Sequence, residues 1–262
     1  MLKKLLKYDL KSKLPFLCIF YALAIGCALL SRLFGLFSEV PMVNILSQFF
    51  AGATISMIFN ILINLTLRSW ALFRQNLYGD SSYLMHTLPV EKKTLYLSKA
   101  LDGLITLIVS FGVIGLTLLI QYYGTALWTK AGLFLRLFSQ GRPAMVATLL
   151  IGILFLEIAN MFQCGFTGLI LGHKMNRHKM GYSVLAGLGV YAAGSLFVFA
   201  VIGMMALFND SIRQFFLSTQ TQPVEMNDLW LLIALSSAAY AFLILAMYFL
   251  NVKWLKQGVN VD

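Results

Sequence analysis

Six apolar runs, each long enough to cross the bilayer's hydrocarbon core, dominate this chain; a helical crossing of about 30 Å takes about 20 residues. Bracketed by charged and turn residues, they fall at Pro15 to Leu36, Met42 to Leu67, Ala100 to Tyr123, Ala144 to Gly172, Tyr182 to Phe208 and Leu229 to Leu250. Lipid offers no hydrogen bonds to a backbone, so runs of this kind fold as helices. They use more than half of the 262 residues, and the connections are too short for a soluble catalytic domain. Only 11% of residues are charged and mean hydropathy is +0.82, against about 25% charged residues in soluble domains. The expected fold is an all-α membrane protein forming a single domain over 1–262. It would have an amphipathic helix at 1–14, a six-span bundle over 15–250 with a loop at 68–99, and a tail at 251–262.

Basic loops resist translocation, so Lys and Arg in alternate connections set the orientation. Lys3, Lys4, Lys7, Lys11, Lys13, Arg68, Arg74, Lys92, Lys93, Lys99, Lys174, Arg177, Lys179, Lys253 and Lys256 put 15 on one side, and Arg32, Lys130, Arg136, Arg142 and Arg213 put 5 on the other. Both termini and the loop 68–99 are therefore expected inside the cell. The net charge of +10 sits mostly on the face that meets anionic lipid, so membrane lipid explains it and no nucleic-acid partner is implied.

Leu2, Leu5, Leu6, Leu10 and Leu14 share one helical face, with Lys3, Lys4, Lys7 and Lys11 largely opposite. This pattern predicts a helix lying in the membrane interface. A cleaved secretory signal is the competing reading, but Lys13 abuts the apolar run and no small-residue cleavage site stands out. Cys18, Cys27 and Cys164 lie inside apolar runs without ligand spacing and read as small hydrophobes.

Small residues four apart, at Ala22/Gly26, Gly168/Gly172, Gly189/Ala193 and Ala234/Ala238, predict close helix approach. Polar stripes are more selective. Ser56, Asn60 and Asn64 form one, Ser98, Asp102, Thr106 and Ser110 a second, and Glu157, Asn160, Gln163, Cys164 and Thr167 a third. Each should face protein or water. Interhelical hydrogen bonding that only fixes packing is the plainer account, and a translocation or conformational site at Asn60, Asn64, Glu157, Asn160 and Gln163 the sharper one. Glu157 stands apart, because an ionised carboxylate near mid-span costs on the order of 3 kcal/mol or more. It is either a functional group or a protonated, hydrogen-bonded structural one.

Catalytic constellations are missing from the sequence. There is no HExxH, no GxSxG and no GxxxxGK[ST] to cradle a nucleotide. His86, His173 and His178 fall in expected loops, where "GHKMNRHKMG" reads as a solvated basic turn. No enzyme activity, cofactor or metal is expected of this chain itself.

The longest polar interruption, "YGDSSYLMHTLPVEKK" at 78–93, opens on a turn. A short helix over "SSYLMHTL" follows, beginning at a Ser cap and stopped by Pro89. Tyr83, Leu84, Met85 and Leu88 would face outward beside basic residues, which marks a bilayer surface or a protein partner.

Through Tyr83, Leu84, Thr87, Leu88, Pro89, Val90, Leu97, Ser98 and Lys99 the chain resembles the permease subunits of type-2 ATP-binding-cassette (ABC) transporters, particularly the compact bacterial form encoded apart from its ATPase. The topology match covers nearly the whole chain. The resemblance implies a type-2 ABC exporter transmembrane domain whose loop helix is a coupling helix seated in a groove of the ABC ATPase subunit. It places that contact at Gly79, Asp80, Tyr83, Leu84, Met85, His86, Leu88 and Pro89, with Asp80 as the acidic residue that many relatives carry before the helix. It also implies a second permease chain, as homo- or heterodimer, with ATP and Mg held by the partner ATPase, in the bacterial cytoplasmic membrane. A short re-entrant or interfacial helix within 209–228, with Ile212, Phe215 and Phe216 in the interface, is the alternative to an ordinary outer loop. The rival readings are an ATP-independent membrane scaffold that binds a cytoplasmic partner through the same loop, and an intramembrane enzyme centred on Glu157.

Overall fold

The computed structural model describes residues 2–37, 39–79, 82–87, 89–125, 128–130, 132–133, 143–175, 177–217 and 226–257. Among them there is no strand. The helices are α1 (Leu2–Gly35), α2 (Pro41–Leu77), α3 (Ser82–Thr87), α4 (Lys92–Tyr122), α5 (Pro143–Gly172), α6 (Lys179–Phe208), α7 (Asp210–Phe216) and α8 (Met226–Lys256). Among the described residues, α1, α2, α4, α5, α6 and α8 make 6 helices long and apolar enough to cross a membrane.

The apolar runs sit inside these helices, but several helices outrun them. Helix α2 continues to Leu77 and α4 begins at Lys92, so polar turns extend both beyond the apolar stretch. The amphipathic segment 1–14 is not a separate helix. α1 runs unbroken from Leu2 to Gly35 through Pro15. A proline removes one backbone donor, and a long helix carried by its neighbours tolerates that loss. The amphipathic pattern survives within it: Lys3, Lys4, Lys7 and Lys11 are exposed, while Leu2, Leu5, Leu6, Leu10 and Leu14 are half-buried.

The chain forms two compact units, Met1–Asn76 with Tyr83–Trp128, and Leu77–Ser82 with Thr129–Asp262. In the first unit α1 packs along α4. The buried face of α1 is Asp9, Lys13, Leu17, Tyr21, Ala24, Ala28 and Ser31, a spacing of three to four residues that keeps one helical stripe against its neighbour. Opposite it α4 buries Lys99, Asp102, Gly103, Thr106, Ser110, Thr117 and Gln121.

In the second unit α5 packs against both α6 and α8, which also touch each other. Gly168 lets α5 and α6 meet backbone to backbone: a Cβ there would lie 2.6 Å from Gly187 Cα and Ser183 O. At Gly172 a Cβ would collide with Ser183. The other small pairs do not mark contacts. Gly26 and Gly189 have nothing within 4 Å of a built Cβ, and Ala22, Ala193, Ala234 and Ala238 are exposed. The buried small residues lie one or two positions away, at Ala24, Ala28, Gly194 and Ala239. Four-residue spacing fixes a shared helical face but not which face turns inward.

Helix α7 puts a short helix within 209–228, where a short helix and an ordinary loop were the alternatives. Ile212 is buried rather than held at an interface, its N–H donating to Asn209 Oδ1 at 3.3 Å. Asn209 in turn donates to Asp228 Oδ1 at 2.7 Å. The side chains of Phe215 and Phe216 lie outside the described residues.

Candidate functional site

Four polar pairs join α1 to α4. Lys99 donates to Asp9 at 2.5 Å, Lys13 is paired with Asp102, Tyr21 shares a hydrogen bond with Ser110 at 2.7 Å, and Gln121 donates to Ser31 at 2.8 Å. The partners are 90, 89, 89 and 90 residues apart. A constant separation means two parallel helices held in one register. From Asp9 to Ser31 the ladder covers about 33 Å at about 1.5 Å per residue, close to the thickness of the hydrocarbon layer. Its two charged rungs therefore stand at one end of the helices and its neutral rungs occupy the rest.

Helix α2 braces the same ladder from the antiparallel direction. Lys13 Nζ also donates to Ser69 Oγ at 3.0 Å, and Asn76 to Asp9 at 3.4 Å. At the other end Ser31 and Ser47 exchange hydroxyl-to-carbonyl bonds at 3.0 Å. Lys13 and Asp102 are both buried, so each is the other's neutralising charge in a place where an unpaired ion would be costly. The stripe Ser98, Asp102, Thr106 and Ser110 faces protein as expected, all four residues being buried. The role of Lys13 and Asp9 was not legible: a lysine bordering an apolar run looks like a flanking charge. The signal was present in Asp9 and Lys13, one turn apart on α1, matching Lys99 and Asp102, one turn apart on α4.

The stripe Ser56, Asn60 and Asn64 behaves differently. Ser56 is exposed, and Asn60 and Asn64 are half-buried. Their amides donate back to the carbonyls of Ser56 and Asn60 at 2.9 Å, one turn earlier. The buried polar residues of α2 are instead Thr54, Thr66 and Ser69. Asn60 and Asn64 belong to the first unit, whereas Glu157, Asn160 and Gln163 belong to the second.

Glu157, Asn160, Gln163, Cys164 and Thr167 share one face of α5. Asn160, Gln163, Cys164 and Thr167 are buried and Glu157 is half-buried. Tyr191 on α6 donates its hydroxyl to Glu157 Oε1 at 3.2 Å. Asn251 on α8 donates to Thr167 Oγ1 at 2.9 Å, and Cys164 Sγ lies 3.8 Å from Met247 Sδ. Tyr191, Tyr240 and Asn251 were not singled out from sequence, because each tyrosine sits alone in an apolar run and Asn251 falls in the expected tail. Among the described residues no group of His, Cys, Asp and Glu is placed to hold a metal ion.

The loop after α2 starts at a docked residue. Tyr78 is buried and its ring stacks on that of His173, centroids 4.1 Å apart. Burial pushes the Tyr78 phenol's ionisation above its usual range, so it stays neutral. His173 is not the solvated loop residue expected from its basic surroundings; it is 1% exposed. Its Nδ1 lies 2.9 Å from Leu169 O, and since a carbonyl only accepts, that nitrogen carries the proton. The aromatic face of Tyr78 covers His173, and Ser183 Oγ on α6 lies 3.5 Å from its Nδ1, surroundings that the basic neighbours in sequence concealed.

Beyond Tyr78 the expected short helix is present as α3, ending before Pro89. The Ser cap expected for it falls on Ser81, directly before α3, which lies outside the described residues. Tyr83 is 67% exposed, Met85 and Gly79 are half-buried and Pro89 is exposed. Asp80 and Leu88 lie outside the described residues, as do the side chains of Leu84 and His86. Comparison with protein-family models, curated proteins and solved structures gives no match.

Proposed function

We propose that this chain is the permease subunit of an ATP-binding-cassette exporter, working as a pair of permease chains with two separate ATPase chains. The observation that carries the reading is α3, a six-residue helix between two membrane-length helices, presenting Tyr83 outward just before the "TLPV" and "LSK" residues. A short exposed helix with an aromatic residue on its face suits a groove in a soluble partner. The positive-inside count puts that helix, both termini and the tail on the cytoplasmic side, where an ATPase would meet them.

The ladder supports a mechanical role for α3. Asn76 at the end of α2 and Lys99 near the start of α4 both reach Asp9 on α1. The two stems flanking α3 are thereby tied to one point on a third helix. A push on α3 would move α1 and α4 together, as alternating access driven from the cytoplasm requires. ATP cleavage belongs to the partner, with Mg held there.

Co-expression with a candidate ATP-binding-cassette ATPase, followed by affinity capture of this chain, tests the reading. The unaltered chain should retain the ATPase. Tyr83→Asp with Leu84→Asp should insert normally and lose it, because the groove contact would have to bury charge. Undiminished capture and unchanged ATP turnover in that variant would remove the coupling-helix assignment.

A further inference from the structure

We propose that α5, α6 and α8 enclose a water-binding site centred on the Asn160 amide and bordered by Gly194 and Met247. Asn160 is 1% exposed, yet neither its Nδ2 nor its Oδ1 meets a hydrogen-bonding partner in the protein. Exchanging the two atoms by rotating the amide would not help, since both are unmatched. A buried amide left this way is costly, and natural structures answer the cost with a bound group.

The identity of that group follows from the amide. It offers two N–H donors and one carbonyl acceptor side by side. A cation would satisfy only the oxygen and an anion only the nitrogen. Water does both, in the smallest volume.

The room for it is provided by Gly194 on α6. A Cβ built there would lie 3.9 Å from Asn160 Nδ2, 3.6 Å from Leu243 Cδ1 and 4.0 Å from Met247 Cε, all ordinary contacts. A methyl-sized volume thus adjoins the amide, walled by two residues of α8, and the side chain that would fill it is the one glycine lacks. An apolar cavity of that size stays dry, whereas one with polar partners holds water. Here the polar partners continue beyond Asn160. Glu157 stands one turn away on the same face of α5 and accepts from Tyr191, which precedes Gly194 by one turn on α6. Helices α5 and α6 therefore bring polar side chains together near mid-span, where an ionisable group lies at a cost unless it is paired or hydrated.

The inference does not depend on the permease reading, and its test does not involve an ATPase. Hydroxyl radicals generated by X-rays label side chains next to bound water even where bulk solvent does not reach. Met247 and Met205 form a matched pair for this purpose, 6% and 7% exposed and both in the second unit. In the purified full chain in lipid nanodiscs, Met247 should be oxidised several-fold faster than Met205. Gly194→Ala, which meets only ordinary contacts, should displace the water and bring Met247 down to the Met205 rate; Asn160→Leu should do the same. The rate at Met205 should stay constant and report an intact second unit, while Met42, 79% exposed, gives the radical dose. Equal rates at Met247 and Met205 in the unaltered protein, or an undiminished Met247 rate in Gly194→Ala, would overturn the site. Failure to capture an ATPase would overturn the proposed function and leave this result untouched.

Discussion

In the first unit the parallel helices α1 and α4 are joined by side chains that cross the gap, with charged rungs at one end and hydroxyl and amide rungs beyond. In the second unit the tightest contact is the antiparallel one, where Gly168 and Gly172 bring the α5 backbone onto Gly187 and Ser183 of α6. Lipid tails are as apolar as leucine, so neither pair gains much from burying hydrocarbon. What remains is polar pairing or close approach, and each unit leans on one of them. Polar pairing fixes register, because a shift of one residue breaks every rung. Close approach fixes distance and leaves polar side chains such as Asn160 without a required partner on the facing helix.

The largest expected effect tests the charged rungs. Lys13→Leu alone leaves Asp102 buried without its cation and should cost about 3–5 kcal/mol, whereas Lys13→Leu with Asp102→Leu should recover most of it. Thermal unfolding of both variants in detergent measures the difference, and equal losses would show that the pair is not the unit of stability.

Next comes the glycine contact. Gly168→Ala forces its methyl into the backbone of α6 and should cost about 1–3 kcal/mol. Gly26→Ala, facing open space in the first unit, should stay within about 0.5 kcal/mol. A silent Gly168→Ala would mean that α5 and α6 do not approach as closely as the structure places them.

Smaller again is Tyr191→Phe, which removes the hydroxyl that reaches Glu157. The expected loss is about 0.6 kcal/mol, the average for such bonds in membrane bundles. A loss several times larger would make this bond a principal support of the second unit. The smallest effect belongs to His178, the one described non-glycine residue with positive φ, at 51° in the turn before α6. His178→Gly relieves that conformation at an entropic cost and should raise stability by roughly 0.5 kcal/mol or less.

These contrasts also mark where sequence reading succeeds. The long apolar helices were legible because hydropathy over a membrane-length window is a strong signal that needs no knowledge of partners. The stripe from Ser98 to Ser110 was legible as buried because lipid excludes a row of polar side chains. Its partner face was not: Lys13 and Asp9 look like interfacial charges until α4 is laid beside them. Asn60 and Asn64 show the opposite failure, since a side-chain amide that bonds its own helix one turn back needs no neighbour to satisfy it. On α5 the stripe from Glu157 to Thr167 was visible, but Tyr191 and Tyr240 were indistinguishable from ordinary aromatic residues in apolar runs. His173 was misread because local charge was taken for exposure, while its stacking partner Tyr78 comes from almost a hundred residues earlier.

The register between α1 and α4 has a consequence for the order of synthesis. Asp9 and Lys13 leave the ribosome about ninety residues before Lys99 and Asp102, a delay of roughly 5–20 s at usual translation rates. For that time neither charge has its partner on α4. Asp9 and Lys13 stand one turn apart, close enough to pair with each other. The nascent helix thus carries a temporary internal neutraliser, and the arrival of the third membrane-length helix exchanges one ion pair within a helix for two between helices.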